Sequence, residues 1–204
     1  MKYIISFTFL VALLEIGCTG AAPSDKASTQ QKLSELEKKG LETKLTTDTV
    51  FLGYTFRMSS YEFGEVTKKL WGEGILRKDY LDDFYFAIDD KMGSTYKGYI
   101  FANYLNGEMV SVGMTFKDDP PILVFHRLGE LYEEKYGAFD IIDKPIKDMD
   151  IWDKYWIRNN LKIRLHAGLS STYTEYIDLR FEKQKLKSDS TNKANQENDL
   201  KSKL

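Results

Sequence analysis

The chain has 204 residues, with 29 basic and 31 acidic side chains, a formal net charge of −2 and 42% hydrophobic residues. Its mean hydropathy is −0.42 and its pI is near 5.8. These values exclude a large basic field of the kind that binds nucleic acid, and a single cysteine, Cys18, excludes an internal disulfide or a thiolate metal cluster. Only His126 and His166 are available for a zinc site or a Ser-His-Asp triad.

At the start of the chain, Met1 and Lys2 precede a 12-residue apolar-rich run, 3–14, followed by the small residues Gly17, Thr19, Gly20, Ala21 and Ala22. This is the layout of a secretory signal peptide: as a helix the run rises about 18 Å, well short of a hydrocarbon core of about 30 Å. Leu14-Glu15-Ile16-Gly17-Cys18 resembles the lipobox of bacterial lipoproteins, in which a small residue precedes a lipidated cysteine. Gly17 and Cys18 match the pattern, while Glu15 stands where the family usually has leucine. The resemblance implies a signal peptide over 1–17 and a lipid anchor on Cys18. Ordinary cleavage after Ala21 or Ala22 is the alternative, giving a periplasmic or secreted protein.

Residues 18–49 are rich in Ser, Thr, Lys, Glu and Gln, with Leu33, Leu36 and Leu41 as the main apolar positions, and read as a flexible tether. The stretch 182–204 lacks aromatic residues and reads as a disordered polar tail. Folding is therefore expected of 50–181, beginning with a short strand over 50–56.

Within that body, Ser59 and Glu62 have the spacing of a capping box, and Phe63, Val66 and Leu70 continue a helix that ends at Gly72 or Gly74. Strands follow at 84–88, 96–105 and 109–116, the last two joined by Asn106-Gly107, the strongest short hairpin signal. A second helix is expected to start with Asp119 as N-cap and Pro120-Pro121 in its first turn. It carries Phe125, Leu128, Leu131 and Tyr132 on one face and stops at Gly137. Strands at 151–157, 161–167 and 177–181 complete the pattern. The expected fold is α+β: two consecutive αβββ units with antiparallel sheet and helices packed on one face.

A helix followed by hairpin-rich sheet, repeated in an exported chain, resembles the β-lactamase-inhibitor-protein architecture. One unit is similar to small envelope-assembly lipoproteins of the SmpA/OmlA type. Phe51-Leu52-Gly53-Tyr54-Thr55-Phe56-Arg57-Met58-Ser59 and Lys135-Tyr136-Gly137 also resemble segments of uncharacterised exported proteins of Bacteroides-like bacteria. The resemblance implies a fold and a cell-envelope location and carries no site residue with it.

Asp140, Asp143, Asp148, Asp150 and Asp153 could be imagined around a cation, but the EF-hand pattern is absent and a solvated acidic loop is expected. Asp82-Asp83 and Asp89-Asp90 bracket a strand and read as turn residues in preference to a glycosidase pair. No phosphate loop, nucleophile elbow or His-Glu-x-x-His pattern occurs, so no catalytic residue, metal or cofactor is assigned. The aromatic content points instead to binding, with Tyr85, Tyr99, Trp152, Trp156 and Tyr176 as candidate contact residues. The expected function is that of an exported, lipid-anchored, non-catalytic module binding an envelope protein. A carbohydrate or peptide binder is the alternative, and a hydrolase built from noncontiguous residues is the third reading.

Overall fold

Ser59 accepts a hydrogen bond from the Glu62 amide at 3.2 Å, and the Glu62 carboxylate accepts one from the Ser59 amide at 2.8 Å, so the capping box forms as its spacing predicts. In the computed structural model, which describes residues 25–90, 93–146, 151–182 and 184, this box opens α2 (Ser60–Gly72). The expected signal peptide and Cys18 lie outside the described residues, as does nearly all of the polar tail. No helix among the described residues is long and apolar enough to cross a membrane.

The sheet strands are β1 (Leu76–Lys78), β2 (Phe84–Asp89), β3 (Thr95–Leu105), β4 (Glu108–Phe116), β5 (Ile141–Ile146), β6 (Ile151–Arg158), β7 (Leu161–Ala167) and β8 (Thr172–Asp178). They form one eight-stranded antiparallel sheet in the order β1-β2-β3-β4-β8-β7-β6-β5. The protein is α+β, as expected. Each unit contributes a strand that the sequence did not reveal. β1 is too short to show alternation, and Pro145 interrupts β5, which sits at a sheet edge where a missing amide donor is tolerated. The two four-strand meanders meet where β4 pairs with β8, so the second unit runs through the sheet in reverse order from the first.

The Asn106-Gly107 turn joins β3 to β4 with φ of 52° and 83°, the positive values a type I′ hairpin needs. The strand expected over 50–56 is instead a tight turn. Leu52 and Gly53 both have positive φ, and the Val50 amide donates to Tyr54 O at 2.9 Å. That turn drives Phe51, Tyr54 and Phe56 into the core.

α3 (Pro121–Tyr136) starts without a side-chain cap. Asp119, expected to cap it, accepts from the Lys97 amide at 3.1 Å; Lys97 pairs with β2 on one side, but β4 ends at Phe116 and leaves its other side without a strand partner. At its far end, the Gly137 amide donates to Glu133 O at 2.9 Å with φ 80°, and the Trp156 indole N–H donates to Gly137 O at 2.9 Å. α2 and α3 cover one face of the sheet. The core there gathers Leu70, Leu76, Val112, Met114, Phe116, Phe125, Leu128, Trp156, Ile163, Leu165 and Tyr176.

The composition of 18–49 predicted a tether, yet 25–42 form an 18-residue helix, α1 (Asp25–Glu42). It lies on the opposite sheet face, where Leu33 is buried with Ile141 and Tyr155, and Leu36 and Ile157 pack beside them. Helices therefore flank both faces. α1 packs mainly on β5 and β6 of the second face, and its Glu37 reaches Lys162 of β7.

Candidate binding face

Side chains at paired positions of an antiparallel ladder share one face, so the register alone defines a row across the sheet. Tyr85 pairs with Tyr99, Tyr99 with Thr115, Thr115 with Tyr173, Tyr173 with His166, and His166 with Asp153. This row lies on the face opposite α2 and α3. The Tyr85 and Tyr99 ring centroids are 6.0 Å apart, and those of Tyr173 and His166 4.7 Å apart. Each tyrosine also carries a cation: Lys97 Nζ lies 5.5 Å from the Tyr85 centroid, Lys117 Nζ 5.5 Å from Tyr99, and the Arg164 guanidinium 5.3 Å from Tyr173. Such contacts hold the rings in place while leaving them half-buried.

A second row runs Phe101, Gly113, Glu175, Arg164, Tyr155. The Phe101 ring lies over Gly113, where a Cβ would stand 2.7 Å from Phe101 Cζ, so only glycine lets the ring lie against the strand. Alongside, Asn103 Nδ2 donates to Ser111 Oγ at 2.9 Å and to Glu175 Oε1 at 3.0 Å, and Ser111 donates to the same oxygen.

Toward β6, Asp153 accepts from Arg164 Nε at 2.7 Å and Nη2 at 3.2 Å, with His166 Nδ1 at 3.1 Å. Burial pushes the Asp153 carboxyl up, but the His166 and Arg164 hydrogen bonds and the Arg164 charge outweigh it and hold the group below its usual range. Burial likewise lowers the Arg164 guanidinium, and Asp153 more than restores it, so the net shift is upward. Tyr99 is pushed up to about 12 by burial, by its hydrogen bond to Asp79 and by that carboxylate's charge, and stays a neutral phenol at physiological pH. Where α1 meets this face it leaves a groove of about 430 Å³, with Leu33, Leu41, Ile177 and Phe181 beside Lys162 and Glu175. Lys162 Nζ is held there by Glu37 at 2.9 Å and by Glu182.

The five expected contact residues therefore separate. Tyr85 and Tyr99 stand together on the open face. Trp156 and Tyr176 are fully buried and cannot touch a partner: Tyr176 donates to the Tyr132 hydroxyl at 3.0 Å, and that hydroxyl donates to Thr174 Oγ1 at 2.9 Å. Trp152 is half-buried on the α3 face, its ring 6.1 Å from Phe125. Tyr173, with its guanidinium and imidazole neighbours, completes the row that single-strand reading could not assemble.

Among the described residues no group of three His, Cys, Asp or Glu side chains converges to hold a metal. Asp140 accepts from Arg158 Nη1 at 2.7 Å and from the Ile157 amide at 2.6 Å, so it is engaged in the fold, as is Asp153. Asp148 and Asp150 lie outside the described residues. Asp89 accepts from Thr95 Oγ1 at 2.7 Å and Asp90 from the Ser94 amide at 2.8 Å, the turn roles expected of them.

No protein-family model and no curated protein matches the chain. Among solved structures, the chain is similar to the crystal structure of a DUF4309 family protein, YjgB, from Bacillus subtilis subsp. subtilis str. 168. That match covers 74% of this chain and 98% of the other, at 8% identity and a TM-score of 0.28, a likeness too slight to carry an argument about function.

Proposed function

We propose that the protein is an exported, lipid-anchored component of the bacterial cell envelope that binds a partner protein through the open face of its sheet, without catalysis. The observation that carries this reading is the cross-strand row Tyr85, Tyr99 and Tyr173, each ring paired with a cation, on a face that α1 covers only on its far side. Rigid amphipathic rings with polar tips supply large contact area at low ordering cost, which is how binding hot spots are built. Export and anchoring rest on the signal-like N-terminus and Cys18.

The test is in-cell chemical cross-linking followed by co-purification from the envelope fraction. It compares the native chain, a Tyr85→Ala/Tyr99→Ala variant and Cys18→Ala. One dominant protein partner is expected with the native chain and a recovery at least tenfold lower with the double variant, since each hot-spot tyrosine contributes on the order of 1–2 kcal/mol. Cys18→Ala should move the protein out of the membrane fraction. Equal recovery by the double variant would overturn the face assignment. Absence of any reproducible protein would overturn the protein-binding reading in favour of a glycan.

A further inference from the structure

Two rows of the open face run on beneath α1. The row Phe101, Gly113, Glu175, Arg164, Tyr155 ends by pairing Tyr155 with Ile141, and both of these are buried with Leu33 of the helix. The next row pairs Ser111 with Ile177, Ile177 with Lys162 and Lys162 with Ile157, which packs at the margin of the same cluster, as Leu36 does. α1 therefore sits on the surface that bears the candidate binding residues, and it fills only part of it. The groove of about 430 Å³ stays open between Leu33 and Leu41 on the helix and Ile177 and Phe181 on the body.

The attachment of α1 is local. Leu33, Ile141 and Tyr155 form a cluster apart from the main core, and among the described residues none of α1 belongs to that core. Residues 43–46, which follow the helix, are all exposed, whereas Thr47 is fixed. Its amide donates to Asn160 Oδ1 at 2.6 Å, and its carbonyl accepts from Asn160 Nδ2 at 3.1 Å. With a post at Thr47 and an exposed connector before it, α1 can leave the sheet without disturbing the core. Lys162, the buried cation that Glu37 reaches, keeps Glu182 when Glu37 departs. Because Lys162 is paired either way, charge does not decide what sits here. The apolar patch does, and what fills it is a helix with two leucines three residues apart, Leu33 and Leu36.

We propose that the surface beneath α1 is a helix-accepting site, occupied in cis by α1 and taken over by an amphipathic helix of the partner protein, so that α1 is a cover the partner displaces. The inference rests on the reading of the open face as a partner-binding surface and adds the partner's secondary structure and the element that competes with it.

The first measurement needs no partner. A fluorescent peptide of residues 25–42 is titrated onto the full native chain and onto the full chain carrying Leu33→Asp/Leu36→Asp, whose own helix cannot dock because unpaired carboxylates would enter the apolar patch. The peptide should bind the variant, and the native chain at least about tenfold more weakly, since the tethered helix competes at high effective concentration. A peptide with the same two changes should bind neither chain. No binding to the variant, or equal binding to both chains, would overturn the helix-accepting site. Loss of the variant's β-sheet circular dichroism would also overturn it, by showing that α1 is part of the fold and not a cover.

The second measurement joins the site to the partner. Benzoylphenylalanine at position 85 of each chain, in producing cells, should capture the same protein. Recovery should be at least about tenfold higher with the variant, since apparent affinity scales with the fraction of chains whose site is free. Equal or lower recovery would overturn displacement while the face stands. No protein captured from either chain would overturn the face reading and displacement with it, while the peptide titration still decides whether the site accepts a helix.

Discussion

Asp153 is 4% exposed and would be an expensive carboxylate to bury without the guanidinium of Arg164 and the imidazole of His166 against it. Those partners hold its carboxyl below the usual carboxylate range, against the upward push of burial. A depressed carboxyl contributes stability that is complete above its unfolded value, near about 4, and is lost as pH falls through the lower folded value. Urea midpoints measured from pH 7 downward should therefore decline in acid for the native chain. Asp153→Asn should start lower at neutral pH, by about 2 kcal/mol, since hydrogen bonds to a charged group are lost. The gap between the two should close as the native carboxyl protonates. A constant gap across that range would mean that Asp153 stabilises through its shape and not through its charge. Because Arg164 also lies over Tyr173, the same variant should loosen the far end of the tyrosine row.

At the scale of elements, α1 sets two tendencies against each other. Isolated, an 18-residue helix with so few apolar positions is marginal, and it is stabilised by docking. Its contacts are Leu33 on Ile141 and Tyr155, the Lys162–Glu37 pair, and Gly40, which lies so close to the Asn159 carbonyl that a Cβ there would collide with it. Gly40→Ala should raise intrinsic helix propensity by about 1 kcal/mol, yet the collision should undock the helix. Hydrogen exchange should then rise across 25–42 while β6 and β7 stay protected. Increased protection over the helix would show that propensity outweighs the docked contact.

This balance also explains what the sequence made legible. Composition counts the apolar residues of α1 but cannot see that Ile141, Tyr155 and Ile157 wait for them more than a hundred residues on. The capping box and the Asn106-Gly107 turn were readable because each is closed by neighbours in the chain. The inward parity of β8 was hidden for a different reason. Thr172, Thr174, Tyr176 and Asp178 face the core, while Tyr173 and Glu175 face out. The inward polar groups are tolerated because Pro121 O, the Tyr132 hydroxyl, Asn160 and Arg180 satisfy them. Tyr176 therefore points into the core and is not the contact residue its type and position suggest.

For the whole molecule the decisive place is the seam where β4 meets β8, because it joins two local meanders into one sheet and carries both aromatic rows across. The core does not divide there: Phe51, from the turn before α2, stacks on Tyr176 of β8 at 5.5 Å and meets Phe86 of β2 edge-on at 5.9 Å. Two units that share side chains in this way should unfold together. Gly113 sits at the seam opposite Glu175, and a Cβ there would collide with the Thr174 carbonyl as well as the Phe101 ring. Gly113→Ala should therefore cost about 3 kcal/mol, the upper end for overpacking, since a backbone oxygen cannot swing aside as a flexible side chain can. In urea, tryptophan fluorescence and backbone circular dichroism should shift to a lower midpoint by the same amount and remain superimposed. Separation of the two curves would mean that the halves fold independently and are merely tethered at β4 and β8. Superimposed curves would bind recognition to folding. Tyr85 and Tyr99 come from the first unit and Tyr173 and Arg164 from the second, so the row exists only while the seam is closed.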